Sequence, residues 1–449
     1  MVVSPDDPIA ALATPAASSA LAVIRVSGTG SLDLLASTVR GARKPADLRG
    51  QTIRRFTIWD GSEKVDDVLL AVYRAPRSYS GVEGAEIFCH GSLPVIQRLL
   101  SLLGRSGFRP AGPGEFTQRA FLNGRMDLTR AEAVNEIVRA RTDRARALAL
   151  DRLGGAIEGR VRAARELLVD LKASLEVMID SPDDAPGDAM DGSRLDEAED
   201  VLEGLTRTFR QGRIFQEGAT VAIAGATNAG KSRLFNLMLR QDRAIVSEVH
   251  GTTRDWLEGA LNLHGIPVRL IDTAGLRATR DPLEGEGMRR TRELLRGADA
   301  VVWLVDGTGE NGAPEDDILR ERDGHAPLVR AWNKTDLPRA RPAPRGFLPL
   351  SAATGEGLPA LEAALAEVLL GGRAPDSGEP LVDSERQRDL LTRALDALRR
   401  FKEARGRGIS PDLLAVDLAA ALDALGEITG EVTSAEVLDR VFARFCVGK

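Results

Sequence analysis

The sequence is poor in the residues that form disulfide frameworks and metal centres. Two cysteines and four histidines occur among 449 residues. Cys89 and Cys446 lie far apart and lack the CxxC spacing of a zinc site, and adjacent residues such as Cys89 and His90 rarely converge on one ion. We therefore expect both thiols to be reduced and no zinc to be bound.

Long apolar runs and a basic N-terminal segment are also missing. No stretch approaches the roughly 20 consecutive apolar residues of a transmembrane helix. Asp6 and Asp7 occupy positions where a signal peptide would carry Lys or Arg. The sequence therefore predicts a chain without a membrane span that stays in the cytoplasm.

The balance of charge limits how the chain could hold nucleic acid. The formal net charge is −6, with 60 Lys and Arg against 66 Asp and Glu, and the pI is about 5.6. Since phosphate binding depends on Lys and Arg contacts, these values argue against a broad basic face. If RNA is a substrate, we expect a partner protein to supply many of the contacts that bind it.

The chain is too long for a single hydrophobic core, and its residue patterns change along its length. Short β-branched and apolar runs at 21–26, 52–59 and 68–73 predict a strand-rich α+β segment. After residue 123 the apolar spacing becomes helical, first at 134–148 and then at 167–178, and Ser193 fits the N-cap of a third helix. One helical face is predicted to carry Val134, Ile137, Val138, Arg141, Ala145 and Leu148.

From about residue 212, apolar strands alternate with helices, which is typical of a parallel α/β sheet. The predicted strands lie at 221–224, 267–271, 300–305, 328–331 and 347–350. Helical spacing resumes after a Gly- and Pro-containing linker at 371–380. Neither helical flank has an obvious core of its own, so we expect an α/β domain inserted into a helical domain built from both flanks. The predicted domains are 1–118, 119–213, 214–375 and 376–449.

Residues 225–232 match the P-loop that binds nucleotide phosphates, and they lie between an apolar strand and a helical pattern. The glycines let backbone N–H groups surround the phosphates, Lys231 reaches the β and γ oxygens, and the Ser232 hydroxyl can ligate Mg²⁺. The residues of this loop that we expect to bind nucleotide are Asn228, Ala229, Gly230, Lys231, Ser232 and Arg233.

Three further motifs follow predicted strands: Asp272-Thr273-Ala274-Gly275, Asn333-Lys334-Thr335-Asp336 and Ser351-Ala352-Ala353. Asp272 can hold Mg²⁺ through water, and the Gly275 N–H can meet the γ-phosphate. The Asp336 carboxylate can accept hydrogen bonds from the ring N–H and the amine of guanine, whereas adenine would leave it unpaired. The sequence therefore predicts GTP rather than ATP as the nucleotide.

The position after the second motif holds Leu276, where Ras-like GTPases place a glutamine that orients the attacking water. Leucine cannot orient water, so another group must do so. The following residues offer Arg277, Arg280, Asp281 and Glu284, which could equally form a solvated switch loop. The residues themselves leave these two readings open.

Taken in order, the motifs resemble those of the MnmE (TrmE) family of tRNA-modifying GTPases. The resemblance covers 9–15, 24–28, 113–117, 119–124, 251–255 and the terminal Phe445-Cys446-Val447-Gly448-Lys449. It implies a folate-binding-like N-terminal domain that dimerises, a helical domain and an inserted Ras-like G domain. It also implies a homodimer that acts with the flavoprotein MnmG (GidA).

The same resemblance implies a reaction. Members of the family add an aminomethyl-type group, such as carboxymethylaminomethyl, to C5 of the tRNA wobble uridine. The carbon would come from a reduced folate, either 5-formyl- or methylene-tetrahydrofolate. The sequence leaves open which tRNAs are used and whether glycine or ammonium supplies the nitrogen.

Roles in the G domain also follow from the resemblance. Glu284 matches the glutamate that positions the attacking water, and Arg277 matches a supporting arginine. The K⁺ ligands correspond to Asn228, Ser247, Val249 and Thr252, and the Mg²⁺ ligands to Ser232 and Thr253. The same loop adds three more residues to the expected GTP site, Glu248, His250 and Gly251.

The implied folate site consists of Arg25, Glu86, Arg125 and Lys449. Arg125 stands where the family has a lysine, and residues 16–21 replace its usual Gly-rich turn. Cys446 matches the C-terminal cysteine that the modification needs, and the sequence leaves open whether this thiol reacts or packs.

Two other functional classes compete with this reading. A regulatory GTPase that binds RNA or ribosomes without modification chemistry would explain the P-loop and Leu276, but not the Cys446 motif or the folate-like segment. A stand-alone folate-dependent methyltransferase would leave the G domain idle. The motifs as a set therefore favour the tRNA-modifying GTPase.

Overall fold

A computed structural model describes residues 6–180, 192–240, 257–272, 295–309, 326–373, 375–376 and 378–449. The chain forms two compact units. The first unit comprises Met1–Asn135 and Leu425–Lys449, and the second comprises Glu136–Ala424. Within the described ranges, no helix has the length and apolar character needed to cross a membrane.

The first unit is built on a seven-stranded sheet of order β3-β4-β5-β6-β2-β1-β7. Only the pair β1 and β7 is parallel, and the other neighbours are antiparallel. One face packs against a core that includes Ile24, Leu70 and Ile87, which produces the alternating burial expected of a half-covered sheet. The strands are β1 Ile9–Leu12, β2 Ser19–Ser27, β3 Val39–Arg40, β4 Thr52–Asp60, β5 Glu63–Tyr73, β6 Gly84–Gly91 and β7 Arg109–Pro110.

Helices cover this sheet and close the unit. The helix α2 buries Ile96, Leu99 and Leu103 in the core of the sheet, and a short 3-10 turn at Pro45–Asp47 precedes β4. The helices that lie in this unit or enter it are α1 Ser31–Ala36, α2 Leu93–Arg105, α3 Glu115–Leu122, α4 Leu128–Arg139, α12 Pro411–Thr429 and α13 Ala435–Phe442.

The second unit contains a six-stranded sheet of order β13-β12-β11-β8-β10-β9. The edge strand β9 is antiparallel to β10, and the remaining pairs are parallel. The buried strands β8 and β11 are almost wholly apolar, as a sheet covered on both faces requires. The strands are β8 Ala219–Gly225, β9 Leu257–Leu263, β10 Ile266–Asp272, β11 Ala300–Asp306, β12 Leu328–Asn333 and β13 Leu348–Pro349.

Helices from both flanks of this sheet pack together in the second unit. Arg399 and Lys402, which follow the sheet in sequence, both form ion pairs with Glu199, which precedes it. The predicted insertion of an α/β domain into a helical domain is therefore confirmed. The helices are α5 Asp143–Leu153, α6 Ala156–Asp180, α7 Gly192–Arg207, α8 Phe209–Glu217, α9 Lys231–Arg240, α10 Leu358–Leu369 and α11 Glu385–Gly406.

Two details of the predicted helices are wrong. The stripe from Val134 to Leu148 is divided between α4 and α5, because Thr142 leaves the helical conformation and its side chain caps α5 by accepting from the Ala145 N–H at 3.2 Å. Ser193 lies inside the first turn of α7, which begins at Gly192, instead of capping it.

Candidate functional site

Described residues of the four predicted motifs lie at one edge of the sheet in the second unit. The strand register pairs Leu304 with Gly225, Ile223 with Asp272, and Asp306 with Asn333. Because parallel strands end on the same side of a sheet, Gly225, Asp272 and Asn333 all lie towards its carboxyl edge, staggered along the strand direction. Such an edge is where open α/β sheets bind their ligands.

The P-loop adopts the tight turn that its glycines permit. Gly225 has φ 150°, and a Cβ there would lie 2.2 Å from the Leu304 carbonyl oxygen. Gly230 has φ 101°, and a Cβ there would lie 2.4 Å from Nδ2 of Asn333. Asn228 also has a left-handed backbone, with φ 65°. The loop therefore leaves no room for a side chain at either glycine.

The loop side chains that we expect to meet the phosphates and Mg²⁺ are held at this edge. Lys231 begins α9, and its Nζ donates to the carbonyl oxygens of Gly225 at 3.0 Å and Ala226 at 2.8 Å. The Ser232 hydroxyl donates to the Asp272 carboxylate at 2.6 Å. A serine hydroxyl and a carboxylate are oxygen donors of the kind that Mg²⁺ prefers.

The motifs that we predict to bind the base are connected to the P-loop through Asn333. Its Nδ2 donates to the Ala229 carbonyl at 2.7 Å, and its Oδ1 accepts from the Ala352 N–H at 2.9 Å. The Ser351 hydroxyl donates to the Asp336 carboxylate at 2.7 Å. The exposed Ala353 follows them in the same loop. The structure thus brings three of the predicted motifs into one hydrogen-bonded arrangement.

Asp306 belongs to this arrangement and was missed from the sequence. The Lys334 ammonium donates to its carboxylate at 2.6 Å, and the Thr308 hydroxyl and N–H donate to the other oxygen. Burial acts to raise the pKa of Asp306, but the hydrogen bonds from Lys334 and Thr308 outweigh it and lower that pKa. Asp306, like Asp272, stands at the end of an apolar strand, and this position in the sequence could have indicated that it belongs to the site.

We expect Gly230→Ala to remove most GTP binding. The new methyl group would displace Nδ2 of Asn333 from 2.4 Å and break its bond to Ala229, while φ 101° would strain any residue with a Cβ. Gly372→Ala is the matched control, since its φ is 85° and nothing lies within 4 Å. Titration with a fluorescent GTP analogue measures both. Equal affinities in the two variants would contradict the role assigned to the close contact.

Several predicted site residues lie outside the described ranges. They comprise the water-positioning candidates Arg277 and Glu284, the remainder of the second motif, Thr273, Ala274 and Gly275, and the loop residues Ser247, Glu248, Val249, His250, Gly251, Thr252 and Thr253. Arg233 is described and is exposed in the first turn of α9.

A second polar cluster lies in the first unit around Arg25. Its guanidinium donates to Oε1 of Glu86 from Nε at 3.0 Å and from Nη2 at 2.7 Å. The Tyr73 hydroxyl lies 3.2 Å from the other oxygen of Glu86. The guanidinium also lies 5.6 Å from the ring centre of Phe116 and 5.8 Å from that of Tyr79. Two of the predicted folate residues are therefore in direct contact.

The end of the chain closes over this cluster. Nη1 of Arg25 donates to the Gly448 carbonyl at 3.0 Å, and the Phe116 N–H donates to the Lys449 carbonyl at 3.1 Å. The Gly114 N–H donates to the Cys446 carbonyl at 3.3 Å. The last four residues are thus fixed against the turn that begins α3.

The cluster is electrostatically suited to an anion. Burial, followed by the charge of Arg25, lowers the pKa of Lys449, while Cys446 acts in the opposite direction. A bound carboxylate would stabilise the charged form of the Lys449 ammonium and so counteract the lowering of its pKa. The Cys446 thiol is exposed, whereas Cys89 is buried with its pKa raised to about 11, mainly by burial and then by Asp66. Cys446 is therefore the more accessible thiol.

Arg125 was predicted to belong to the folate site, whereas Tyr73 and Tyr79 were not. Arg125 is exposed just after α3, and a Cβ on Gly81 would lie 3.3 Å from its Cγ. Tyr73 and Tyr79 were missed, although they are the two tyrosines of the whole chain. Burial is the main cause that raises the pKa of both phenols. Neither ring is fully buried, but each hydroxyl has a polar partner, Glu86 for Tyr73 and Thr117 for Tyr79, as partly covered tyrosines usually do.

Comparison with known proteins gives matches along almost the whole chain. Residues 8–125 match the family described as GTP-binding protein TrmE N-terminus, and residues 128–446 match the MnmE helical domain. The second match includes the whole inserted sheet.

Individual relatives are similar over their full lengths. The tRNA modification GTPase MnmE of Treponema denticola is 39% identical over 99% of this chain and 98% of its own. That of Moorella thermoacetica is 41% identical over 99% of this chain and 100% of its own. Among solved structures, the G domain of the T. maritima FeoB iron transporter is 26% identical, covers 33% of this chain and 98% of its own, and has a TM-score of 0.26.

Proposed function

This chain belongs to the MnmE family of tRNA modification GTPases, and we propose that its GTP hydrolysis drives modification of the tRNA wobble uridine at C5. The product would carry an aminomethyl-type group such as carboxymethylaminomethyl. The observation that supports this most is the pairing in one chain of a P-loop edge with an Arg25–Glu86 cluster closed by the Cys446 segment.

In the second unit, the chain's own residues bind and orient GTP. Lys231 would exchange its carbonyl partners for phosphate oxygens, and Asp336 would accept from guanine while Ser351 fixes its orientation. Ser232 and Asp272 would hold Mg²⁺, with Thr253 as a further ligand. Mg²⁺ would neutralise charge that develops on the phosphates.

K⁺ would supply the charge that other GTPases obtain from an arginine finger. Its proposed ligands are Asn228, Ser247, Val249 and Thr252. The supporting observation is that Leu276 occupies the position of the water-orienting glutamine. Glu284, supported by Arg277, would then orient the attacking water.

We expect GTP hydrolysis to be at least about tenfold faster in K⁺ than in Na⁺ at equal ionic strength, because a well-placed cation stabilises transition-state charge. Asn228→Gly should erase the difference. Glycine tolerates φ 65°, whereas alanine would add a backbone cost of about 1–2 kcal/mol. Phosphate release under saturating GTP measures this, and identical rates in both salts for the wild type would refute the K⁺ assignment.

In the first unit, Arg25, Glu86, Arg125 and Lys449 would bind a reduced folate, either 5-formyl- or methylene-tetrahydrofolate. The residues fit such a ligand, since a half-buried lysine and an arginine beside two aromatic rings suit an aromatic compound with carboxylates. The folate would supply the one-carbon unit. The exposed Cys446 would lie beside it, held in place by its backbone bond to Gly114.

The proposed assembly is a homodimer through the first unit that works with the flavoprotein MnmG (GidA) on tRNA in the cytoplasm. A purified mixture of chain, flavoprotein, tRNA, GTP, Mg²⁺ and K⁺ should transfer label from isotopically labelled methylene-tetrahydrofolate to the wobble base. Omitting GTP or the chain should abolish transfer. A regulatory GTPase without modification chemistry would give no GTP-dependent transfer in any combination.

A further inference from the structure

The first unit contains a short segment that is rich in basic residues. Of the sixteen residues from 40 to 55, six are Arg or Lys and one is acidic, in a chain with net charge −6. The segment leaves β3, passes through the 3-10 turn Pro45–Asp47 and enters β4 at the edge of the sheet. The chain as a whole has a small excess of acidic residues, whereas this segment has a net positive charge.

Two of these cations already have partners. The Arg40 guanidinium lies 4.3 Å from the ring centre of Trp59 and donates to the Gly61 carbonyl. Arg55 forms an ion pair with Asp67 at 3.1 Å. Their positions are explained by contacts within the sheet.

The other four cations are exposed and, throughout the described part of the chain, no carboxylate forms an ion pair with them. We name them the basic edge: Arg43, Lys44, Arg49 and Arg54. Holding four cations in one short segment that contains a single carboxylate, Asp47, costs electrostatic energy, which a polyanion would offset. A solvated surface of ordinary composition would alternate the two signs.

Hydrogen bonds from side chains to the backbone carbonyls of this segment hold it beside the ends of β4 and β5. The Arg74 guanidinium, at the end of β5, donates to the Leu48 carbonyl at 3.3 Å and also to the Ala46 carbonyl. A Cβ on Gly50 would lie 3.1 Å from Cβ of Arg74. The Thr52 hydroxyl donates to the Arg49 carbonyl at 2.7 Å. The basic edge is therefore presented on a defined backbone.

The register places this segment at the same end of the sheet as the Arg25 cluster. Thr52 pairs with Val72, Val72 pairs with Ala85, and Ala85 pairs with Val26. Three strand spacings of about 4.8 Å put the start of β4 about 14 Å from the strand that carries Arg25. This is a distance that a few nucleotides span.

We propose that the basic edge binds the phosphate backbone of the tRNA substrate next to the Arg25 cluster. Three of its four side chains are arginines, whose planar guanidinium matches phosphate in a bidentate manner. The inference rests on the proposed function for the choice of RNA as the polyanion. Beyond the proposed function, the inference identifies the surface of this chain that binds the tRNA substrate.

The test is a triple variant, R43Q/K44Q/R49Q, of the full chain, which leaves β4 intact. Binding of a fluorescent tRNA transcript with an unmodified wobble uridine is measured by anisotropy between 50 and 200 mM KCl. Each phosphate contact adds roughly 0.7–0.9 to the salt slope of log K, so the slope should fall by about two to three. We expect at least about tenfold weaker binding at the lowest salt.

The matched control R141Q/R160Q/R345Q removes the same charge from exposed positions in the second unit. It should bind tRNA as the wild type does, and both variants should retain GTP hydrolysis. Equal affinity and slope in the triple variant and the wild type would overturn the proposal. So would an equal loss in the control, or charge-dependent binding to phosphatidylserine vesicles instead of tRNA.

The binding result is independent of the proposed reaction. If the wild type supports wobble modification in cells but the triple variant binds tRNA normally, only the basic edge is wrong. If the wild type supports no modification, the proposed function is wrong, and the salt slopes still decide whether this surface binds RNA.

Discussion

Removal of residues 446–449 should abolish tRNA modification while GTP hydrolysis in K⁺ stays close to the wild-type rate. The segment closes over the Arg25 cluster through the carbonyls of Gly448 and Lys449, and it belongs to none of the nucleotide motifs. The loss should be essentially complete, because the truncation removes the Lys449 ammonium and the Cys446 thiol together. Wobble nucleosides and phosphate release are measured on the same preparations.

A point variant separates the thiol from packing. Cys446→Ser retains the backbone bond to Gly114 and replaces an exposed side chain, so the melting temperature should not change. Loss of modification at unchanged stability would identify a reacting thiol. Modification that persists in the truncated chain would show that the segment is not part of the site.

Asp336→Asn should weaken GTP binding by at least about 100-fold. Guanine would lose two hydrogen bonds to a charged acceptor, each worth about 1.5–3 kcal/mol, and tenfold in affinity corresponds to about 1.4 kcal/mol. Asparagine can still accept from the Ser351 hydroxyl, so the loop should keep its conformation. Its amide can donate to the carbonyl of xanthine, which predicts a gain for xanthosine triphosphate.

Competitive titration of GTP, ATP and xanthosine triphosphate checks this change in specificity. Ser351→Ala is the control, since it removes the support of Asp336 and leaves its charge. Its effect should be smaller and should not favour xanthosine triphosphate. A wild type that binds ATP and GTP equally would contradict the assignment of Asp336.

The sequence predicted the architecture because each unit has a clear periodicity. The apolar runs at 221–224 and 300–305 became β8 and β11, and the P-loop falls between β8 and α9 as expected. Motif order along the chain was sufficient to bring Asn333 and Ser351 to the P-loop edge, because parallel strands end on one side of the sheet.

Contacts that depend on distant packing could not be foreseen. Tyr73 meets Glu86 only because β5 and β6 pair in a particular register. The Lys334–Asp306 pair likewise joins the ends of two strands, and Lys334 adopts φ 68°, which its residue type does not indicate. The break at Thr142 was hidden because the apolar spacing continues across it.

The basic edge shows the limit of arguments from overall charge. A net charge of −6 argued against a broad basic face, yet four exposed cations that form no ion pair in the described part of the chain lie within residues 43–54 at the edge of a sheet. Composition averages over the whole chain, whereas phosphate contacts depend on local charge.

The central claim is that GTP hydrolysis in one unit supports tRNA modification by the other. The most direct test uses cells whose own copy of this chain has been removed and replaced by the wild type, Lys231→Ala or Cys446→Ser. The wobble uridines of their tRNA are then analysed by mass spectrometry. We predict C5-modified uridine with the wild type alone, and unmodified or incompletely modified uridine with either variant. Full modification in cells without the chain, or with Lys231→Ala, would contradict the claim.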